Sequence, residues 1–355
     1  MSAGATRLAG SCEDLCSAWK ELATESPGMR FREAAAKLGV SEAALVACSC
    51  SDKTQRLRSN WGDLLQQMPK LGRVMCLTRN ESVVHERYGC FEQVSVNGMM
   101  GLVLGPDIDL RLFLGNWHFG FATEQALPSG NRKSLQFFDG SGTAVFKVYA
   151  VAETDQAAWN ALVETFTDPE PQMPLRIANS PANEAEQSDS AINLAGFRQD
   201  WAAMTDTHQF HGLLKRHKLG RQQALRLIGD DYARPLAADC VSRLLEDAAA
   251  KHQPIMVFVG NRGCIQIHSG PVSNLKRMGP WFNVLDADFN LHLREDQVDQ
   301  VWWVRKPTED GDVNSVEVFD KNGELILQFF GTRKPGIPER DDWRELTHSL
   351  LGAAA

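Results

Sequence analysis

No stretch of the 355-residue chain approaches 18 consecutive apolar residues, so no segment reads as a membrane-crossing helix. The opening "MSAGATRLAGSCEDLC" lacks an apolar run of signal-sequence length and meets acidic residues by position 13, so a cytoplasmic location is expected. Cysteine is sparse. Eight thiols, at 12, 16, 48, 50, 76, 90, 240 and 264, form no Cys-x-x-Cys, and no histidine pair follows at finger spacing. Neither a disulfide scaffold nor a structural zinc is expected, and reduced thiols fit a cytoplasm. Positive charge is in deficit: 37 Lys and Arg against 45 Asp and Glu leave a net charge of −8, which argues against a broad, sequence-independent grip on nucleic acid. What is present, 43% apolar and 23% charged residues, makes a globular chain longer than one core usually serves, so two domains or two fused halves are expected.

The sequence is written twice. Residues 72–150 lie over 253–331 at a constant offset of 181 without a gap, matching Met75 to Met256, Asn80 to Asn261, Gly89 to Gly270, Ser134 to Ser315, Phe138 to Phe319, Asp139 to Asp320 and Gly142 to Gly323. Upstream, "MRFREAAAKLG" lies over "HQFHGLLKRHKLG", pairing Phe31 with Phe210. Period-2 alternation with glycine punctuation, as in "FDKNGELILQFF", predicts antiparallel strands and hairpins. Each copy ends on a helical pattern, "DQAAWNALVETF" or "ERDDWRELTHSLL". The expected fold is α+β: a tandem duplication, each half with N-terminal helices, a large antiparallel sheet and a closing helix. Residues 167–193, rich in proline and acid, read as a linker between an N-terminal half, 1–166, and a C-terminal half, 194–355.

The segment "TDTHQFHGLLKRHKLGRQQAL" predicts a helix starting near Thr205–Thr207 and stopping at Gly220. On it Phe210, Leu213, Leu214 and His217 form one stripe, whereas His208 lies about 160–180° away. His208 aligns with Met29 and His211 with Arg32, so these histidines belong to one copy only. A helix-turn-helix over 208–228 that reads DNA is the alternative for the same residues. The Leu-Gly turn recurs in "AAAKLGVSEAAL" without basic residues in its second helix, which points to a duplicated structural corner.

On the strands, "DIDLRLFL" sets Arg111 and Phe113 opposite a leucine face, "VWWVRKP" groups Trp302, Val304 and Lys306, and "ELILQFFGTRK" groups Ile326, Gln328 and Phe330 with Arg333 just beyond. Singly, each cation reads as an exposed charge on a sheet edge. Together they describe a cleft with aromatic surface, cationic corners and a histidine donor, which suits a planar apolar dicarboxylate carrying a metal, that is haem.

These features together, the twofold repeat, "HQFHGLLKRHKLGRQQALRLIG", "DIDLRLFL" and "FFGTR", resemble the haemin-degrading factor family of cytoplasmic haem-trafficking proteins over nearly the whole chain. The resemblance implies haem b as ligand, His208 as the axial ligand of iron and His211 as its alternative. It further implies Arg111 as the distal residue, catalytic if the protein is an enzyme, with Phe113, Lys306, Gln328 and Arg333 lining the pocket. Where some members carry a His-His pair, this chain has Gln209. A haem importer and a downstream haem oxygenase are the implied partners, and a monomer or weak dimer the expected state. A carrier and a haem-oxygenase-like enzyme need the same ligand and pocket, so the sequence leaves both open.

Overall fold

The computed structural model describes residues 12–26, 29–48, 53–127, 130–172, 174–179, 186–333 and 336–352. The chain forms two compact units, each a helical layer and antiparallel strands, as the duplicated α+β pattern predicts.

Unit 1 takes Met1–Arg79, Glu86–Pro181 and Asn261–Gln266. It begins with helices α1 (Cys12–Glu25), α2 (Phe31–Leu38) and α3 (Glu42–Cys48), then strand β1 (Thr54–Arg56) and helix α4 (Trp61–Gln67). Strands β2 (Gly72–Arg79), β3 (Val83–Cys90), β4 (Gln93–Asn97), β5 (Met100–Leu104), β6 (Asp109–Phe113), β7 (Phe119–Leu127), β8 (Gly130–Phe138) and β9 (Ala144–Thr154) follow, and α5 (Gln156–Phe166) closes the repeat. The larger layer runs β1-β7-β8-β9-β2-β3. β2 shows why: Val74, Cys76 and Thr78 bury themselves on one face, leaving Met75, Leu77 and Arg79 half-buried on the other. The buried side packs with Trp61, Leu64, Trp159 and Leu162 from α4 and α5.

Unit 2 takes Asn80–His85, Ala182–Gly260 and Ile267–Ala355. Its helices are α6 (Leu194–Ala202), α7 (Gln209–His217), α8 (Arg221–Ile228), α9 (Cys240–Ala250) and the closing α10 (Asp341–Gly352). Its strands are β10 (Ala233–Leu236), β11 (Ile255–Gly260), β12 (Cys264–Gly270), β13 (Leu275–Met278), β14 (Trp281–Leu285), β15 (Phe289–Arg294), β16 (Gln300–Lys306), β17 (Val313–Phe319) and β18 (Leu325–Gly331), with the larger layer ordered β10-β16-β17-β18-β11-β12. Here β11 buries Ile255, Val257 and Val259 against α9 and α10, and turns Met256 and Phe258 to the face that α6, α7 and α8 cover only in part. Gly331 permits the closing helix to settle: a Cβ there would lie 2.6 Å from Trp343 Cγ, and Trp343 is fully buried.

The aligned asparagines perform one task twice. In unit 2, Asn80 Oδ1 accepts the backbone N–H of Ser82 and Val83 while its Nδ2 donates to the carbonyls of Gly260 and Ile326. In unit 1, Asn261 Oδ1 accepts from Gly263 and Cys264 while its Nδ2 donates to Arg79 and Val145. Each asparagine thus satisfies a turn whose backbone groups would otherwise be buried without partners.

Candidate functional site

Helix α7 departs from the sequence expectation at both ends. His208 is its N-cap residue rather than part of its first turn, and the chain leaves the helix through Lys218 at φ 52°, two residues before Gly220. The left-handed Lys218 lets the Leu219 N–H reach back to the Leu214 carbonyl, closing the end that a glycine would usually close. Gly220 instead serves as N-cap of α8. Phe210, Leu213 and Leu214 are buried with Phe197 and Trp201, and His217 Nε2 meets Asp200 Oδ2 at 2.9 Å.

His208 stands clear of that stripe, its side chain 88% exposed. Asp206 Oδ1 accepts the His208 backbone N–H at 2.8 Å and lies 2.7 Å from ring Nδ1. The backbone hydrogen bond, reinforced by the imidazole beside it and by Arg333, holds the Asp206 carboxyl below its ordinary value. An ionised Asp206 is suited to accept a hydrogen bond from Nδ1, the arrangement that leaves the other ring nitrogen, Nε2, as the donor to a metal. The segment before α7 is pinned by a hydrogen bond from the Glu309 N–H to the Thr205 carbonyl, 2.9 Å, just beyond β16. Arg333, beyond β18, contributes a cation near Asp206, and its buried Nη1 has no hydrogen-bond partner among the described residues.

Two cross-strand rows form the floor of the same face. Met256, Phe330, Ser315 and Val304 are register partners in turn, as are Phe258, Gln328, Glu317 and Trp302. The Phe258 and Phe330 rings sit 4.9 Å apart, both half-buried. Glu317, fully buried, accepts from Arg221 Nε at 2.6 Å and Nη2 at 2.8 Å and from Lys306 Nζ at 2.6 Å. Burial alone would raise the Glu317 carboxyl, but the two facing cations hold it well below its ordinary value. Burial, with Arg221 alongside, pushes Lys306 down. Two cations on one carboxylate leave an excess positive charge where α7 and α8 meet the sheet. Both also lie over Phe210, with Arg221 Cζ 4.9 Å and Lys306 Nζ 4.5 Å from its centroid.

The structure therefore brings His208, Lys306, Gln328 and Arg333 onto one unit, with His211 exposed three residues along the same helix. Lys306 is internal, held by Glu317, rather than a free cation at a sheet edge. Arg111 and Phe113 belong to unit 1, where Arg111 is half-buried and paired with Asp109, and the Phe113 N–H donates to the Gly263 carbonyl at 3.0 Å. Asp206, Arg221 and Glu317 are additions that sequence reasoning did not assign. On α8, Gln223, Ala224, Leu225 and Ile228 are buried, while Arg221 is engaged by Glu317 and Arg226 by Asp189. The second helix of the corner is thereby turned into the protein.

Comparison with known proteins gives one result throughout. The model of the haemin-degrading HemS.ChuX domain matches residues 39–166 and again residues 218–350. The hemin transport protein HmuS of Yersinia pestis is 40% identical over 330 residues, 92% of this chain and 94% of that protein. Among solved structures, holo-PhuS, a heme-binding protein from Pseudomonas aeruginosa, superposes with a TM-score of 0.94 at 50% identity, covering 96% of this chain and 99% of that one. ChuS, an E. coli heme oxygenase, superposes with a TM-score of 0.86 at 38% identity, covering 95% of this chain and 99% of that one.

Proposed function

Since the chain belongs to the haemin-degrading HemS.ChuX domain family, we propose that it is a cytoplasmic haem-binding protein of haem uptake, with His208 Nε2 as the axial donor to the iron of haem b. The observation that carries this is the Asp206–His208 contact: Oδ1 lies 2.7 Å from Nδ1 of an imidazole that is 88% exposed, so that a proton held on Nδ1 leaves Nε2 as the donor. Metal-binding histidines commonly have their second nitrogen held by a carboxylate in this way. Met256, Phe258 and Phe330 suit the porphyrin face, Gln328 offers a hydrogen bond at its edge, and Arg333, with the excess positive charge of Arg221 and Lys306, suits the propionates. His211 is the alternative ligand, and Arg111 with Phe113 the distal pair.

The two halves, 1–166 and 194–355 joined by 167–193, divide the task, the second supplying the axial histidine. Haem arrives from an importer and is either handed to a haem oxygenase or oxidised on this chain, which acts as a monomer or weak dimer. Bound haem supplies the iron and the redox chemistry. The residues of the chain supply orientation, a defined tautomer and charge for the carboxylates. Haemin titration tests the binding: His208→Ala should lose or strongly alter the Soret band, and an unchanged spectrum with unchanged affinity would sink the assignment. A physiological electron donor with catalase present separates carrier from enzyme, by whether an open-chain tetrapyrrole product forms.

A further inference from the structure

Unit 1 holds a cleft of its own where its helical layer meets its sheet, lined among others by Met29, Phe31, Met75, Leu77, Gln136 and Tyr149. Its floor repeats the rows of unit 2: Met75, Tyr149, Ser134 and Thr123 are register partners in turn, as are Leu77, Lys147, Gln136 and Phe121. Three features differ. The position aligned with His208 is Met29, and among the described residues no imidazole or thiol lines the cleft. Arginines 30, 32, 79 and 132 outnumber the carboxylates Glu42 and Glu86 around it, Glu42 being paired with Lys147, and Arg132 has its guanidinium 5.4 Å from the Tyr149 ring centre. Gln136, 5% exposed, donates through Nε2 to the hydroxyls of Thr123 and Ser134, while its equally buried Oε1 accepts from no described residue.

Resting on the haem reading above, we propose that the unit 1 cleft binds an open-chain tetrapyrrole dicarboxylate, the chemical class that oxidative opening of haem yields. Met75, Leu77 and the Tyr149 ring, at the positions of Met256, Phe258 and Phe330, offer pyrrole rings an apolar strip, and the arginine rim accepts two carboxylates. The buried Gln136 acceptor decides between ligands. Haem nitrogens all bind iron and a porphyrin's inner N–H groups point into its own ring, whereas an open chain can turn its N–H groups outward. A buried acceptor left unmatched costs about 1–3 kcal/mol, so the ligand that supplies the donor is favoured. With Met29 in place of a histidine and Lys147 held by Glu42, the described lining of the cleft offers iron no imidazole. The two repeats would then hold substrate and product of one ring-opening reaction.

The test uses the full chain, with biliverdin IXα as probe and its induced circular dichroism as readout, on the free chain and on the chain loaded with one equivalent of haem. One equivalent of biliverdin should bind in both cases without disturbing the Soret band, and His208→Ala should leave its affinity unchanged. Arg132→Glu, at an exposed position, should weaken biliverdin at least tenfold while leaving haemin titration intact, and Gln136→Leu should do the same. Displacement of haem by biliverdin, insensitivity to Arg132→Glu, or equal affinity for protoporphyrin IX would each overturn the proposal. The biliverdin signal on the free chain is read without haem. A failure of haem to bind His208 therefore sinks the earlier assignment alone.

Discussion

Asp206 Oδ1 accepts the backbone N–H of His208 at 2.8 Å and lies 2.7 Å from its ring Nδ1. One carboxylate oxygen therefore sets the start of α7 and the orientation of its exposed imidazole. Asp206→Asn keeps the shape but ends the charge that favours Nδ1–H. It should weaken haemin binding about 10–100-fold, the usual cost of losing such a partner. Equal affinities by titration would refute the orienting role.

Removing the carboxylate shared by Arg221 and Lys306 should act on stability. Glu317→Gln leaves buried Lys306 and part-buried Arg221 without their counter-charge, at a cost of about 3–5 kcal/mol. Because the folded carboxyl lies below its ordinary value of 4.5, its contribution is present above that pH and lost as pH falls below it. Urea denaturation from pH 7 to pH 3 should show the wild type converging on the variant as acid is added; a constant gap would contradict this.

Gly331→Ala places a methyl group within 3 Å of Trp343, a ring held in place by its hydrogen bond from Nε1 to the Asn314 carbonyl. The overpacking should cost about 1–3 kcal/mol in chemical denaturation. Wild-type stability in the variant would mean that the closing helix can shift freely.

Burial pushes the Cys264 thiol up to about 12, and Cys76 is raised for the same reason with Cys264 beside it. Neither should react with iodoacetamide at pH 8 in the folded protein, and both should react in urea. Mass spectrometry of the alkylated peptides reads this directly, and native labelling of either residue would count against it.

The exposed placement of His208 was legible, since helical spacing turns it away from Phe210 and Leu214, and duplication singles it out by setting Met29 at its counterpart. The floor was legible wherever strands alternate strictly, as in β11. The Asp206 bond was not, since it depends on the backbone turning at His208 where the sequence predicts helix already begun. Lys306 reads as a surface cation because Glu317 lies 11 residues away on the next strand, and only register makes them neighbours. Nothing in composition marks Asn80–His85 or Asn261–Gln266 as segments packed in the unit formed chiefly by the other repeat.

Both repeats bury an ion pair between a helix start and the sheet, but with opposite polarity. In unit 1 the helix offers Glu42 to Lys147; in unit 2 it offers Arg221 to Glu317. A duplicated chain faces a matching problem while it folds, because either helical layer has the shape to settle on either sheet. The mismatched choices would set Arg221 beside Lys147 and Glu42 beside Glu317, in each case a like charge where the native layer supplies an opposite one. The inverted pairs thus favour each helical layer on its own sheet over the sheet of the other repeat.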